Sequence, residues 1–171
     1  VMSMTIYTLP FGVALGSFFA ASAYMLLRTK APKTGAIILF GVLFGLVMFI
    51  MGSGWPILVA VITSSIIAEL IARSGHYKSY TCEVIGYCIL MLGTAIGSYI
   101  PFLVMKDYYL KIAEGNSINR EFMSRLIAFI SGPYLVLALA TTVVTTILGA
   151  VLARVIFKKH LVKAGLLKET K

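Results

Sequence analysis

Five apolar stretches constrain this chain more than any other feature: Tyr7 to Leu27, Thr34 to Met51, Pro56 to Ala72, Cys82 to Met105 and Ile130 to Phe157. Each meets or approaches the ~20 residues that a helix needs to cross ~30 Å of hydrocarbon. In lipid every backbone N–H and C=O must be satisfied inside the protein, so only helices and closed barrels span. The stretches lack the polar–apolar alternation over ~10-residue segments that barrel strands carry. The expected fold is therefore all-α and integral to the membrane, a compact helical bundle with five spans forming one domain over residues 1–171. Charged residues are only 12% of the chain, against about 25% in a soluble domain. There is no room for a separate soluble catalytic domain.

The charges fall on alternate sides of the stretches. Arg28, Lys30 and Lys33 follow the first, Gly52-Ser53-Gly54-Trp55-Pro56 carries none, and Arg73 and Lys78 follow the third. The segment from Lys106 to Arg125 holds four basic and three acidic residues, and six basic residues lie from Arg154 onward. Cytoplasmic loops are enriched in Lys and Arg. That rule places 11 of the 15 basic residues inside, with a cytoplasmic C-terminus. It also accounts for most of the +9 net charge, so nucleic acid is not an expected partner. The same rule puts the start of the chain outside, yet Val1 is not a start methionine and nothing before Tyr7 explains that side. One more helix upstream, giving six spans in the full-length protein, is the simplest expectation. The first stretch is not a signal peptide, since it lacks a preceding basic region and ends in a basic stop. Cys82 and Cys88 lie near the cytoplasmic boundary, where a disulfide framework is not expected.

Small residues recur at helix–helix spacing, at Gly41 and Gly45, at Ala68 and Ala72, and at Gly149 and Ala153. Such steps allow backbones to approach where lipid supplies no hydrophobic drive. They serve packing within the chain or docking to another membrane subunit, and Gly41 and Gly45 are the candidate docking contacts. Glu69 is read as the carboxylate inside a span, a position that is costly and points to function. Arg73, one turn on, offers it an i,i+4 ion pair; both residues are also candidate partner contacts. Pro56, Pro101 and Pro133 fall near outer ends of spans, where proline starts a helix well and disturbs little.

The longest connection reads KDYYLKIAEGNSINREFMSRLIAF from Lys106. Asn116 or Ser117 caps a short helix with Glu121 in its first turns. Phe122, Leu126 and Phe129 give it an apolar face, so a short extracellular amphipathic helix is expected, as a lid or as an interfacial helix. No HExxH, CxxC, GxSxG or GxxxxGK[ST] motif occurs, and His76 and His160 both fall in predicted cytoplasmic segments. A non-catalytic role is expected.

The outer side is aromatic: Phe49, Trp55, Tyr99, Phe102, Tyr108, Tyr109, Phe122 and Tyr134. Trp and Tyr favour the interface in any case. Beyond a belt, these residues with Gly52 and Gly54 are candidates to line a site for a flat organic molecule. Lys106, Lys111, Arg120 and Arg125 are placed to meet its carboxylates or phosphates.

Three segments, MGSGWPILVAVITSSIIAELIARSGHYKSY, GSYIPFLVMKDYYLKIAEG and LGAVLARVIFKKHLVKAGLL, resemble the Trep_Strep (MptS-like) family. The likeness runs from about Gly35 to Leu167, with Gly52, Gly54, Trp55 and Pro56 its most specific element and Ala68 to Ser79 the next. The resemblance implies a substrate-binding S component of an energy-coupling-factor (ECF) transporter in a bacterial plasma membrane. It implies six helices, a vitamin, metal or related micronutrient bound from outside, a transmembrane coupling subunit and two cytosolic ATPases as partners. Transport by toppling of the S component is implied as well. In many S components the coupling face lies on the first helix, which is expected upstream of residue 1. Some relatives resemble components of iron or haem uptake, which makes haem a candidate transported ligand; no intrinsic cofactor is expected. No histidine lies on the predicted outer side, so haem would need Tyr108, Tyr109, Met51, Met105 or Met123, or apolar contact alone. Cobalt and nickel fit less well, because their His and Cys ligands are missing there. Two other readings stand beside this one: a ligand-free structural or regulatory membrane protein, and a small lipid-modifying enzyme built on Asp107 and Glu114.

Overall fold

The computed structural model describes residues 11–30, 33–77, 79–115, 120–157 and 159. Among the described residues there are seven α-helices and no strand. They are α1 (Gly12–Lys30), α2 (Ala36–Met48), α3 (Trp55–Ser74), α4 (Tyr80–Val104), α5 (Lys106–Gly115), α6 (Arg120–Ile130) and α7 (Pro133–Ile156). Helices α3, α4 and α7 are long and apolar enough to cross a membrane, and α1 and α2 are apolar but shorter. A π-helical turn, Phe49–Ser53, continues α2, so residues 36–53 reach about 27 Å at the usual helical rise.

Local chemistry sets the ends. Pro133 opens α7 and Pro56 sits in the first turn of α3, where the missing N–H would have no helical partner. Ser79 caps α4 by accepting from the Cys82 amide at 3.4 Å. Pro101 is the exception, lying inside α4 and buried near its end.

The helices pack as α2 on α3, α3 on α4, α4 on α7 and α1, and α1 on α7. Small residues make these contacts close. Along the α3–α4 seam, Gly86 lies against Ala68, Gly93 against Ser64, and Gly97 against Ala60 and Ile57. A Cβ on Gly97 would stand 2.6 Å from that of Ala60. Gly149 faces Phe18 and Ala21 across the α1–α7 seam. Gly41 and Gly45, expected as partner contacts, are instead buried against Ser65 and Leu58 of α3. Ala68, Ala72 and Ala153 are likewise fully buried within the chain.

The long connection departs from expectation. It holds two helices, because α5 follows α4 almost without a break. Its polar sequence gave no apolar period, and only Tyr109 and Leu110 are buried among its described side chains. The inward face of α6 is Met123, Leu126, Ile127 and Ile130, one step rotated from Phe122, Leu126 and Phe129. That face is consumed by a core cluster with Ala95, Tyr99 and Ala138, so α6 packs on the bundle as a cap. Asn116 and Ser117, the expected caps, lie outside the described residues, as do Lys78, His160 and the rest of the basic tail beyond Lys159.

Candidate functional site

At the end of the bundle capped by α5 and α6, Tyr109 reaches Gly54 and packs on two further aromatic rings. This glycine has φ +82° and ψ 165°, a conformation open essentially to glycine alone. It lets the chain leave the π-helical turn and enter α3 with Trp55 at its first position. The Tyr109 hydroxyl stands 3.1 Å from where a Cβ on Gly54 would lie. Tyr109 is nearly buried, its ring 4.5 Å from Phe102 and 5.4 Å edge-on from Tyr108. Burial, and then the neighbouring Tyr108, push the Tyr109 phenol above the usual tyrosine value, so it stays a neutral donor.

The remaining candidates are distributed unevenly. Gly52 lies in the π-helical turn beside this cluster. Trp55 is 48% exposed, and Lys106, at the start of α5, is exposed. Tyr99 is buried beneath the cap and belongs to the core. Tyr134 stacks on Phe129 at 4.1 Å and joins no part of the Tyr109 cluster. Arg125 is ion-paired with Glu121 at 2.6 Å on the exposed face of α6, one turn from the carboxylate as helical spacing dictates. Phe102, Tyr108 and Tyr109 thus form one aromatic group with the Tyr109 hydroxyl at Gly54, Tyr99 lies in the core cluster against which Phe102 packs, and Arg125 and Tyr134 engage Glu121 and Phe129.

The opposite, basic end carries a buried polar network. Glu69 is 3% exposed and does not pair with Arg73. Its oxygens accept from the amides of Gly35 at 2.9 Å and Ile37 at 3.0 Å. These are unsatisfied donors at the start of α2, where helix polarity favours a negative charge. Gly35, in the left-handed region at φ +89°, offers no side chain of its own, so α3 caps α2. Tyr77 donates to Glu69 at 2.9 Å and lies 3.2 Å from the Thr34 hydroxyl. Its backbone is left-handed at φ +56°, as is that of His76 at +50°, which turns the ring back beneath the bundle.

The Arg28 guanidinium lies 5.0 Å from the Tyr77 ring and binds Glu83 through two charge-assisted bonds. Beside them Tyr24 stacks on Tyr87 at 4.6 Å, and Tyr87 donates to the Ser17 carbonyl at 2.6 Å. Glu83 is thus a second carboxylate within a span, beside the Glu69 expected from the sequence. The signal was present: Glu83 falls inside the fourth apolar stretch and Arg28 at the matching end of the first.

Among the described residues no cluster of three or more His, Cys, Asp or Glu side chains is arranged to hold a metal. The site is built from aromatic faces and a glycine in a conformation that other residues avoid.

Seven helices, five of them apolar, around glycine-lined seams define a helical integral membrane protein. The model of the Trep_Strep family, described as a hypothetical bacterial integral membrane protein, matches residues 1–163, and the chain belongs to that family. No curated protein and no solved structure matches it.

Proposed function

We propose that this chain is the S component of an energy-coupling-factor importer, capturing a small flat organic ligand, a vitamin or haem-like tetrapyrrole, at its aromatic end. The observation that carries the reading is the packing of Phe102 and Tyr108 on Tyr109, whose hydroxyl stands at Gly54 where α3 begins. Aromatic faces with a few polar groups suit an apolar ring system with polar edges. Lys106 and the Tyr109 hydroxyl supply donors for a carboxylate or phosphate on that ligand. In this reading the aromatic end faces outward, the basic end faces the cytoplasm, and the membrane is the bacterial plasma membrane. The chain itself is non-catalytic. A transmembrane coupling subunit and two cytosolic ATPases supply the energy, since the sequence carries no phosphate-cradling motif.

The test is to purify the chain with its associated proteins, extract bound small molecules, and record absorption and mass spectra. A Soret band identifies haem and a vitamin mass identifies that vitamin. Trp55→Ala, at the rim of the site, is expected to lower retention at least several-fold. Unchanged retention in that variant and in Tyr109→Phe overturns the site. Absence of any ligand together with failure to co-purify ATPases favours a ligand-free structural role.

A further inference from the structure

The basic end of the bundle has lost its negative charge to the interior. Both carboxylates described there are buried and engaged, Glu69 by the start of α2 and Glu83 by Arg28. Arg73, Arg154 and Lys159 are exposed. Arg73 and Arg154 each stand at the end of an apolar column that the bundle leaves uncovered, and Lys159 follows beyond the end of α7. On α7, Ile147 and Val151 lead to Arg154, with Leu148, Leu152 and Val155 beside them. On α3, Ile66 and Leu70 lead to Arg73. Steps of four and three residues put Arg154 and Arg73 on the same helical face as their columns. The Arg154 guanidinium is also held in place, 4.2 Å from the Tyr80 ring.

We propose that this end of α7 is a binding site for an anionic glycerophospholipid, with its phosphate against Arg154 and Lys159 and its acyl chains along the apolar column below. The α3 column with Arg73 repeats the design. A lipid satisfies both halves at once, whereas a soluble acidic protein would cover the cations and leave the columns bare. Anionic headgroups near Lys and Arg at a membrane surface are attracted appreciably, and the burial of Glu69 and Glu83 removes the repulsion that would oppose them. The proposal is independent of the transported ligand.

The experiment compares the purified chain in nanodiscs of phosphatidylcholine and of an equal mixture with phosphatidylglycerol. Native mass spectrometry after detergent extraction reads the lipid retained, and thermal unfolding reads its effect. Preferential retention of phosphatidylglycerol and a higher unfolding temperature in the mixture are expected. Arg154→Gln and Lys159→Gln should each lower the preference about 5-fold. Arg154→Lys, which keeps the charge, should preserve it and so separates binding from misfolding. Equal retention of the two lipids, or a preference untouched by both glutamine variants, overturns the proposal. So does full competition by soluble polyglutamate or inorganic phosphate, which would identify a site for the acidic group alone.

Discussion

Arg28 of α1 and Glu83 of α4, 55 residues apart in sequence, meet through two hydrogen bonds of 2.8 and 2.9 Å with both residues buried. The pair closes the basic end of the bundle across its central helix. Removing either partner breaks a buried, hydrogen-bonded charge pair, which costs ~3–5 kcal/mol. Glu83→Gln or Arg28→Met alone is therefore expected to lower the unfolding temperature in detergent sharply. The double replacement Arg28→Met with Glu83→Leu should recover most of the loss, because a buried pair is often no better than well-packed apolar groups. Equal damage in single and double variants would show that the charges act separately.

Glu69 acts on α2 and not on Arg73, which separates the effects of two neighbouring residues. Glu69→Ala leaves the amides of Gly35 and Ile37 without their acceptor and should cost ~1–3 kcal/mol. Arg73→Ala, at an exposed position, should stay within ~0.5 kcal/mol. Thermal unfolding of the two variants checks this, and similar losses in both would restore the i,i+4 pair.

The seams predict which glycines are replaceable. Gly93→Val drives new methyl groups into Ser64 of α3 and is expected to cost ~1–3 kcal/mol or more. Gly16 lies in α1 with open space around it. Gly16→Ala should be neutral or stabilising by up to ~1 kcal/mol, since glycine weakens a helix interior. Parallel denaturation of the two variants makes the comparison.

Gly54 and Tyr109 couple the entrance of α3 to the cap. Gly54→Ala places a side chain at φ +82° against the Tyr109 hydroxyl and should cost ~1–3 kcal/mol. Tyr109→Phe removes that hydroxyl and should relieve part of the crowding. A double-mutant cycle in stability measures the coupling, and simple additivity would show that the two do not touch.

The raised Tyr109 phenol gives the cap an alkaline limit. Folding favours the neutral form, so the contribution is fully present below the ordinary tyrosine value of about 10. It is lost as pH rises through the higher folded value. Wild type and Tyr109→Phe should differ in the pH dependence of stability only on the alkaline side. Superimposable curves there would remove the assignment.

The length and apolarity of five stretches determined the fold class, because hydrocarbon leaves the backbone no partner but itself. Their boundaries were legible within a few residues: α3 begins at Trp55 where the uncharged Gly-Trp-Pro step ends an apolar run, and α7 begins at Pro133. Aromatic enrichment at one end was legible too. Tertiary structure alone decided which aromatics meet, since Tyr109 and Tyr134 look alike in sequence while one packs against Phe102 and Gly54 and the other stacks on Phe129. Helix α5 is not legible in the sequence because its polar run from Lys106 carries no helical apolar period. The partners of Glu69 and Glu83 are not legible for a different reason. A local ion pair with Arg73 is visible within one turn of sequence, whereas an amide at the start of α2 or a guanidinium on α1 becomes a neighbour only when helices pack. Burial then selects the partner that satisfies the charge, and that selection is a property of the packed bundle.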